Sequence, residues 1–255
     1  MYGWRARIGL LIPSVNATME PEFNRFLPEG VSVHVARMVI EELTVEGLSR
    51  MEERLEQAAK QVAGVAPDLI IFGCTSGSLI KGSGHNEEMA RLIENVTGIP
   101  AITTSQAVLE CLGQLGIRKV AVATPYSEQI NQREKEFLEE NNIQVLGILG
   151  LGFSQYAPIF PLSRRPVSHI TLQEPYIAYK LAMEAFVPEA DGIFISCTNF
   201  RTFEIIQKLE IVTKKPVVTS NQATLAMALQ KLNLWEPIPR LGRLFSDKTS
   251  QFNRR

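Results

Sequence analysis

Two cysteines of this chain sit in the same local context. Cys74 lies in "FGCTSGS" (72–78) and Cys197 in "ISCTNFR" (195–201). Each ends an apolar run and is followed by threonine and a second small polar residue. A thiol between a strand and a helix N-terminus feels the positive end of the helix dipole, which raises its thiolate fraction. Thr75-Ser76 and Thr198-Asn199 add hydroxyl, amide and backbone N–H donors, a cradle suited to a carboxylate. Two thiols facing each other across a bound carboxylate support two chemistries. They can act as paired base and acid at carbon, or one can attack the substrate while the other delivers a proton. The third cysteine, Cys111 in "AVLECLGQLG", has no polar companions and reads as core. No Cys-x-x-Cys pair occurs, and His34, His85 and His169 are scattered, so no metal site is expected.

The elements that must carry these thiols read as alternating strands and helices. Short runs rich in Ile, Leu and Val predict strands at 8–12, 31–37, 69–72, 101–103, 120–124, 144–149, 192–196 and 217–219. Helical spacing marks 48–63, 89–96, 107–115, 132–141, 176–186, 202–209 and 223–232. Most of the strands are too apolar to have a solvent face. The expectation is an α/β fold with parallel sheets covered by helices.

The chain is also written twice. "RIGLLIPSVN" (7–16) is echoed by "KVAVATPYSE" (119–128), with Pro13 matching Pro125. "PDLIIFGCTSGS" (67–78) is echoed by "ADGIFISCTNFR" (190–201), with Cys74 matching Cys197. "GIPAITTSQAVLECLGQLGI" (98–117) is echoed by "KKPVVTSNQATLAMALQKLNL" (214–234), with Gln106 matching Gln222. Three blocks in the same order predict two similar Rossmann-like lobes related by a pseudo-twofold. Ligands of open parallel sheets sit beyond the carboxyl ends of the strands, where both thiols lie. The repeat would then deliver one thiol from each side of an interlobe cleft. The expected lobes are 1–103 plus 219–255, and 104–218.

The bulk numbers exclude several classes. The 255 residues carry a net charge of −1, with 45% apolar and 21% charged residues. That composition is ordinary for a globular protein and gives no electrostatic reason for a nucleic-acid or anionic-membrane partner. No apolar stretch approaches a membrane span, and the first run, ending at Pro13, reads as a strand and not a signal peptide. Three cysteines are too few and too odd for a disulfide framework, which points to a cytoplasmic setting. There is no G-x-G-x-x-G or P-loop. The segment "KGSGHNEE" (81–88) reads as a loop near the cleft and not a phosphate site.

These stretches, with "RIGLLIPSVNATMEPEF", "KPVVTSNQA" and "GRLF", resemble the aspartate/glutamate racemase superfamily. The likeness is strongest to its branch of maleate cis-trans isomerases and arylmalonate decarboxylases, and runs to about Phe245. The resemblance implies a cofactor-independent enzyme acting on a small carboxylate, usually a homodimer. In the decarboxylases a glycine stands where this chain has Cys74, so the pair Cys74 and Cys197 resembles the isomerase and racemase pattern. The implied roles are Cys74 as nucleophile toward the double bond of maleate and Cys197 as proton donor. Asn16 and Tyr126 match positions that contact a substrate carboxylate, beside the cradle residues Thr75, Ser76, Thr198 and Asn199.

One departure stands out. The isomerases carry a further carboxylate-binding Asn before the second cysteine, whereas here no Asn occurs between Asn142 and Asn199. The region reads "LGFSQYAPIFPLSRRPVSHITLQEPY", whose Arg164-Arg165 pair could bind a carboxylate bidentately. Other readings therefore stay open: a two-cysteine racemase of an amino acid or hydantoin, an arylmalonate-type decarboxylase, and a carboxylate-binding sensor without catalysis.

Overall fold

A computed structural model describes residues 1–154, 156–157 and 167–246. Its first sheet contains β1 (Ala6–Pro13), β2 (Val31–Met38), β3 (Leu69–Phe72) and β4 (Ala101–Thr103). Between them lie α1 (Met19–Phe26), α2 (Val45–Glu52), α3 (Leu55–Ala63), α4 (Thr75–Leu79) and α5 (His85–Thr97), and α6 (Thr104–Gln114) follows β4. The second sheet contains β5 (Lys119–Tyr126), β6 (Gln144–Phe153), β9 (Gly192–Ile195) and β10 (Val217–Thr219). Its segment also holds α7 (Glu128–Glu140), a two-residue antiparallel pair β7 (Tyr156–Ala157) and β8 (Val167–Ser168), α8 (Pro175–Ala185), α9 (Ile206–Thr213) and α10 (Ser220–Lys231). The strand orders are β2-β1-β3-β4 and β6-β5-β9-β10, all parallel. Counted along the chain, both sheets run second, first, third, fourth strand, as the sequence repeat predicts.

The repeated blocks have a physical basis. Asp68 accepts the Arg7 N–H at 2.8 Å, and its counterpart Asp191 accepts those of Arg118 and Lys119 at 3.0 and 2.8 Å. Both carboxylates pin the start of a sheet's first strand to its third. Thr103 caps α6 by accepting the Gln106 N–H, and Thr219 caps α10 in the same way. At α10 the Gln222 side chain accepts the Thr219 N–H at 2.9 Å, completing a capping box. The helices α6 and α10 pack on each other, with Thr224 Oγ1 donating to Thr104 Oγ1 and the Cys111 thiol donating to Ala223 O. Cys111 is fully buried there, as expected of a core residue.

The elements differ from expectation where packing overrides local pattern. The single helix expected over 48–63 is two helices. At Arg54 the N–H bonds to Met51 O, a tight turn that lets α2 lean on α4 while α3 packs on β1, β2 and α5. The helix expected from Thr202 starts at Ile206, because the N–H groups of Thr202 and Phe203 turn toward Glu22. The helix α1, whose first turn contains Pro21, was not expected. Residues 81–84 form a loop, but 85–88 open α5, and none of the eight lines the cavity described below. No helix among the described residues is long and apolar enough to cross a membrane.

Candidate active site

The carboxyl ends of the two sheets face one cavity of about 40 Å³. Cys74, Cys197, Asn16, Thr75, Ser76, Tyr126, Thr198 and Asn199 all line it. The two cysteines and the six expected substrate-binding residues are therefore brought to one place. The remaining wall is apolar: Pro13, Val15, Ile40, Leu43, Leu48 and Ile170, with Ser168 beside them. Among the described residues the lining contains no Lys, Arg, His, Asp or Glu. The tandem Arg164-Arg165 lies outside the described residues, as does the tail 247–255.

Cys74 is the N-cap of α4, and its Sγ accepts the Gly77 N–H at 3.3 Å. Ser76 Oγ stands 3.9 Å from the same sulfur. Two glycines make this seat. A β-carbon at Gly77 would lie 3.0 Å from Cys74 Sγ, and one at Gly73 would lie 2.7 Å from Met19 Sδ. With those hydrogens only, the backbone closes on the sulfur and α1 packs under the loop. Burial pushes the Cys74 thiol up to about 11, while the Gly77 and Ser76 contacts pull it down.

Cys197 is held differently. Its φ is +100°, a region that L side chains rarely adopt, and a turn follows it instead of a helix. Its Sγ accepts the Asn199 N–H at 3.4 Å, and the nearby Tyr126 hydroxyl also pulls the thiol down. Burial pushes this thiol up to about 12, and the nearby Cys74 and Glu134 push the same way. Burial also raises the Tyr126 hydroxyl well above its ordinary value. All three cysteines are free thiols.

The threonine after each cysteine ties one cysteine loop to the other. Thr75 Oγ1 donates to Ser220 Oγ at 2.8 Å, and Ser220 Oγ also accepts the Cys197 N–H at 3.0 Å. Thr198 Oγ1 donates to Gly73 O at 3.1 Å and accepts from Asn16 Nδ2 at 2.9 Å. The Asn16 carbonyl accepts the Thr18 and Met19 N–H groups at the start of α1. Asn199 is spent on the 15–18 loop and Thr171: its oxygen accepts from Ala17 N–H and its amide donates to Val15 O and Thr171 Oγ1. The groups left for a ligand are one N–H of Asn16, Ser76 Oγ and the N–H groups of Thr75 and Ser76 at the start of α4, which have no intrahelical acceptor.

Sequence reasoning missed Ser220, Glu22, Asn221 and Glu134. Ser220 stands in the quoted block "VVTSNQA", opposite Thr104 in the repeat, so its position could have been found there. Buried Glu22 accepts from Asn221 Nδ2 at 2.6 Å, and that amide also donates to Thr198 O at 2.9 Å, which braces the second cysteine loop. Burial raises the Glu22 carboxyl to about 7. Among the described residues no group of three or more His, Cys, Asp or Glu could hold a metal ion.

Two parallel α/β lobes with a cysteine at equivalent strand ends define the class of two-lobed enzymes expected from the sequence. The chain belongs to the arylmalonate decarboxylase family, whose model it matches over residues 8–245. It is 24% identical to a maleate isomerase of Geobacillus stearothermophilus over 95% of this chain and 98% of that one. It is 26% identical to an arylmalonate decarboxylase of Bordetella bronchiseptica, over 94% and 96%. The crystal structure of the maleate isomerase Iso from Pseudomonas putida S16 superposes with a TM-score of 0.86 at 25% identity, covering 95% and 98%.

Proposed function

We propose that the protein is a cofactor-independent cis-trans isomerase of a small dicarboxylate, converting maleate to fumarate. The observation that carries this reading is the pair of thiols lining one small cavity beside N–H and hydroxyl donors. Curated relatives named maleate isomerase support it. Cys74 is the nucleophile: its Sγ accepts the Gly77 N–H at the start of α4, whereas the acids Cys74 and Glu134 push the Cys197 thiol up beyond its burial. Its thiolate adds to one alkene carbon, and the electron pair of the double bond takes the proton of the Cys197 thiol at the other. The former double bond, now single, rotates. The Cys197 thiolate then recovers a proton from the same carbon, the double bond re-forms, and Cys74 leaves as thiolate. Asn16, Thr75, Ser76, Tyr126, Thr198 and Asn199 build the carboxylate-binding walls. Thr75 and Thr198 act in this reading mainly through their backbone and the ties between the cysteine loops. In this reading residues 1–103 form one lobe and 104–218 the other, and the chain returns to the first lobe from residue 219.

Proton NMR of the reduced protein with maleate tests the proposal. Fumarate should appear as a vinyl singlet, and Cys74→Ser should abolish it. Absence of fumarate with the intact protein refutes maleate as substrate.

The apolar wall favours a second reading. Val15, Ile40, Leu43, Leu48 and Ile170 suit an apolar substituent beside a single carboxylate or hydantoin carbonyl, and no described lining residue is cationic. On that reading Cys74 and Cys197 are base and acid of a racemase, detected as deuterium exchange at the substrate carbon. A decarboxylase reading is disfavoured by the presence of Cys74.

A further inference from the structure

The helix α7 carries a carboxyl that no step above uses. Glu134 is fully buried, and among the described residues neither of its oxygens has a hydrogen-bond partner. Ser196 Oγ, which precedes Cys197 in the chain, faces it but is itself without a well-formed hydrogen bond. Glu134 stands close enough to act electrostatically on both Cys197 and Tyr126. It lies on "EQINQREKEFLEE", a helix whose other charged residues are exposed or half-buried. A carboxylate in that position would be an uncompensated buried charge, which proteins avoid by neutralising the group.

The neighbouring elements offer it no cation. The helix packs on β5, β6 and α4. Neither β6, β9 nor α4 contains a charged residue, and β5 contributes Tyr126 and, at its far exposed end, Lys119. On α7 itself Glu128, Arg133, Lys135, Glu136, Glu139 and Glu140 point outward or lie at the margin. The titratable groups facing Glu134 from the cavity side are Tyr126, Cys197 and Cys74, all acids that are neutral when protonated. A cavity with no cation in its described lining admits an anion, or forms a thiolate, only while the surrounding acids keep their protons.

We infer that Glu134 is a positioning residue held neutral by its burial, and that its proton keeps the back wall of the cavity uncharged so that Cys197 can ionise and an anionic substrate can enter. The second half of this rests on the carboxylate reading above; the first half does not. Burial places the Glu134 carboxyl at about 8. Below that pH the wall is neutral. Above it a negative charge stands behind Cys197 and opposes both the Cys197 thiolate formed during turnover and the binding of a carboxylate.

Alkylation by iodoacetamide, a neutral reagent, tests this without any substrate. The reagent is followed at Cys197 by peptide mass mapping between pH 6 and 10. In the wild-type protein the logarithm of the rate should rise with unit slope, flatten partly around pH 8, and then resume unit slope on a line displaced downward by about half a unit. In Glu134→Gln the unit slope should continue, so that at pH 9.5 the variant reacts at least about three-fold faster, the effect of half a unit on a thiol. If Glu134→Gln does not fold, the flattening is followed in Glu22→Gln, where its persistence carries the same information and its loss overturns the inference. A wild-type profile of unit slope throughout overturns the inference, as does a folded Gln variant that flattens like wild type. Turnover is then followed over the same range. Loss of kcat/KM above pH 8 in wild type, restored in Glu134→Gln, supports the substrate half. Turnover of both proteins with identical alkaline limbs overturns it. Altered alkylation without any turnover of maleate refutes the maleate reading and leaves the role of Glu134 standing.

Discussion

Replacing Cys197 by glycine should leave the protein more stable than replacing it by alanine, and at Cys74 the order should reverse. Both variants at either site remove the same buried sulfur, so the cost of the lost side chain beyond the β-carbon cancels within each pair. What remains is backbone. Cys197 has φ +100°, whereas Cys74 has φ −144°, ordinary extended backbone. Holding a non-glycine residue at positive φ costs about 1–3 kcal/mol, and alanine keeps that cost while glycine removes it. Glycine loses about 0.5–1 kcal/mol to alanine through the freedom of its unfolded chain. The difference favours Cys197→Gly over Cys197→Ala by up to about 2.5 kcal/mol, with a midpoint of about 1 kcal/mol, and Cys74→Ala over Cys74→Gly by about 0.5–1 kcal/mol. Urea unfolding with equal m-values measures both. Thermal midpoints should differ by about 2–4 °C for each kcal/mol. Alanine equal to or better than glycine at 197 would refute the argument that Cys197 is held against a backbone preference.

Two further outcomes follow from the site. Tyr126→Phe keeps the buried ring but loses the hydroxyl that lowers the Cys197 thiol. Iodoacetamide should then modify Cys197 about tenfold more slowly for each unit the thiol rises, and an unchanged rate would show that the hydroxyl does not act on the sulfur. Glu22 has its folded-state carboxyl raised to about 7 by burial, so the folded protein holds this proton more tightly than the unfolded chain. That contribution is fully present below the ordinary carboxylate range and is lost as pH rises through 7, up to about 3 kcal/mol. Urea unfolding from pH 5 to 8 should show the decline in wild type and a shallower one in Glu22→Gln; equal slopes would remove Glu22 as its source.

What could be read in the sequence was whatever repeats locally. Apolar runs such as 69–72 and 192–195 can only be interior strands, and they are. The match of Gln106 with Gln222 marked the repeat, and it falls at two helix starts, although only Gln222 returns its side chain to its own cap. The cysteines were legible because each ends a strand, and strand ends converge in this architecture. What was not legible depends on distant partners. The helix α7 is rich in charge and reads as a solvated surface, and only its packing on β5 and β6 shows that one face buries Glu134. The break between α2 and α3 has no proline or glycine to announce it; it exists because the two halves lean on different elements. Ser220 carries no local signal; only the fold brings Thr75 from one cysteine loop and the Cys197 N–H from the other to its oxygen.

The duplication supplies two equivalent thiols, but the proposed chemistry needs them unequal, one to attack and one to hold a proton. The inequality arises from a few substitutions inside the repeat. Gly77 in the first lobe corresponds to Phe200 in the second, so only Cys74 gains a close backbone N–H at the start of a helix. Gly73 corresponds to Ser196, which brings a hydroxyl toward Glu134 on the second side alone. Ser76 corresponds to Asn199, whose side chain anchors the 15–18 loop and whose N–H turns back onto Cys197 Sγ. Tyr126, at the end of β5, then reaches the second sulfur through its hydroxyl. Burial raises both thiols, yet the second is raised further and is surrounded by acids that resist its ionisation. A thiol so placed keeps its proton until a carbanion is present to take it, while Cys74 meets a smaller barrier to becoming a thiolate. Exchanging the two seats, by Gly77→Ala on one side or Asn199→Gly on the other, would narrow the difference on which this division of labour rests.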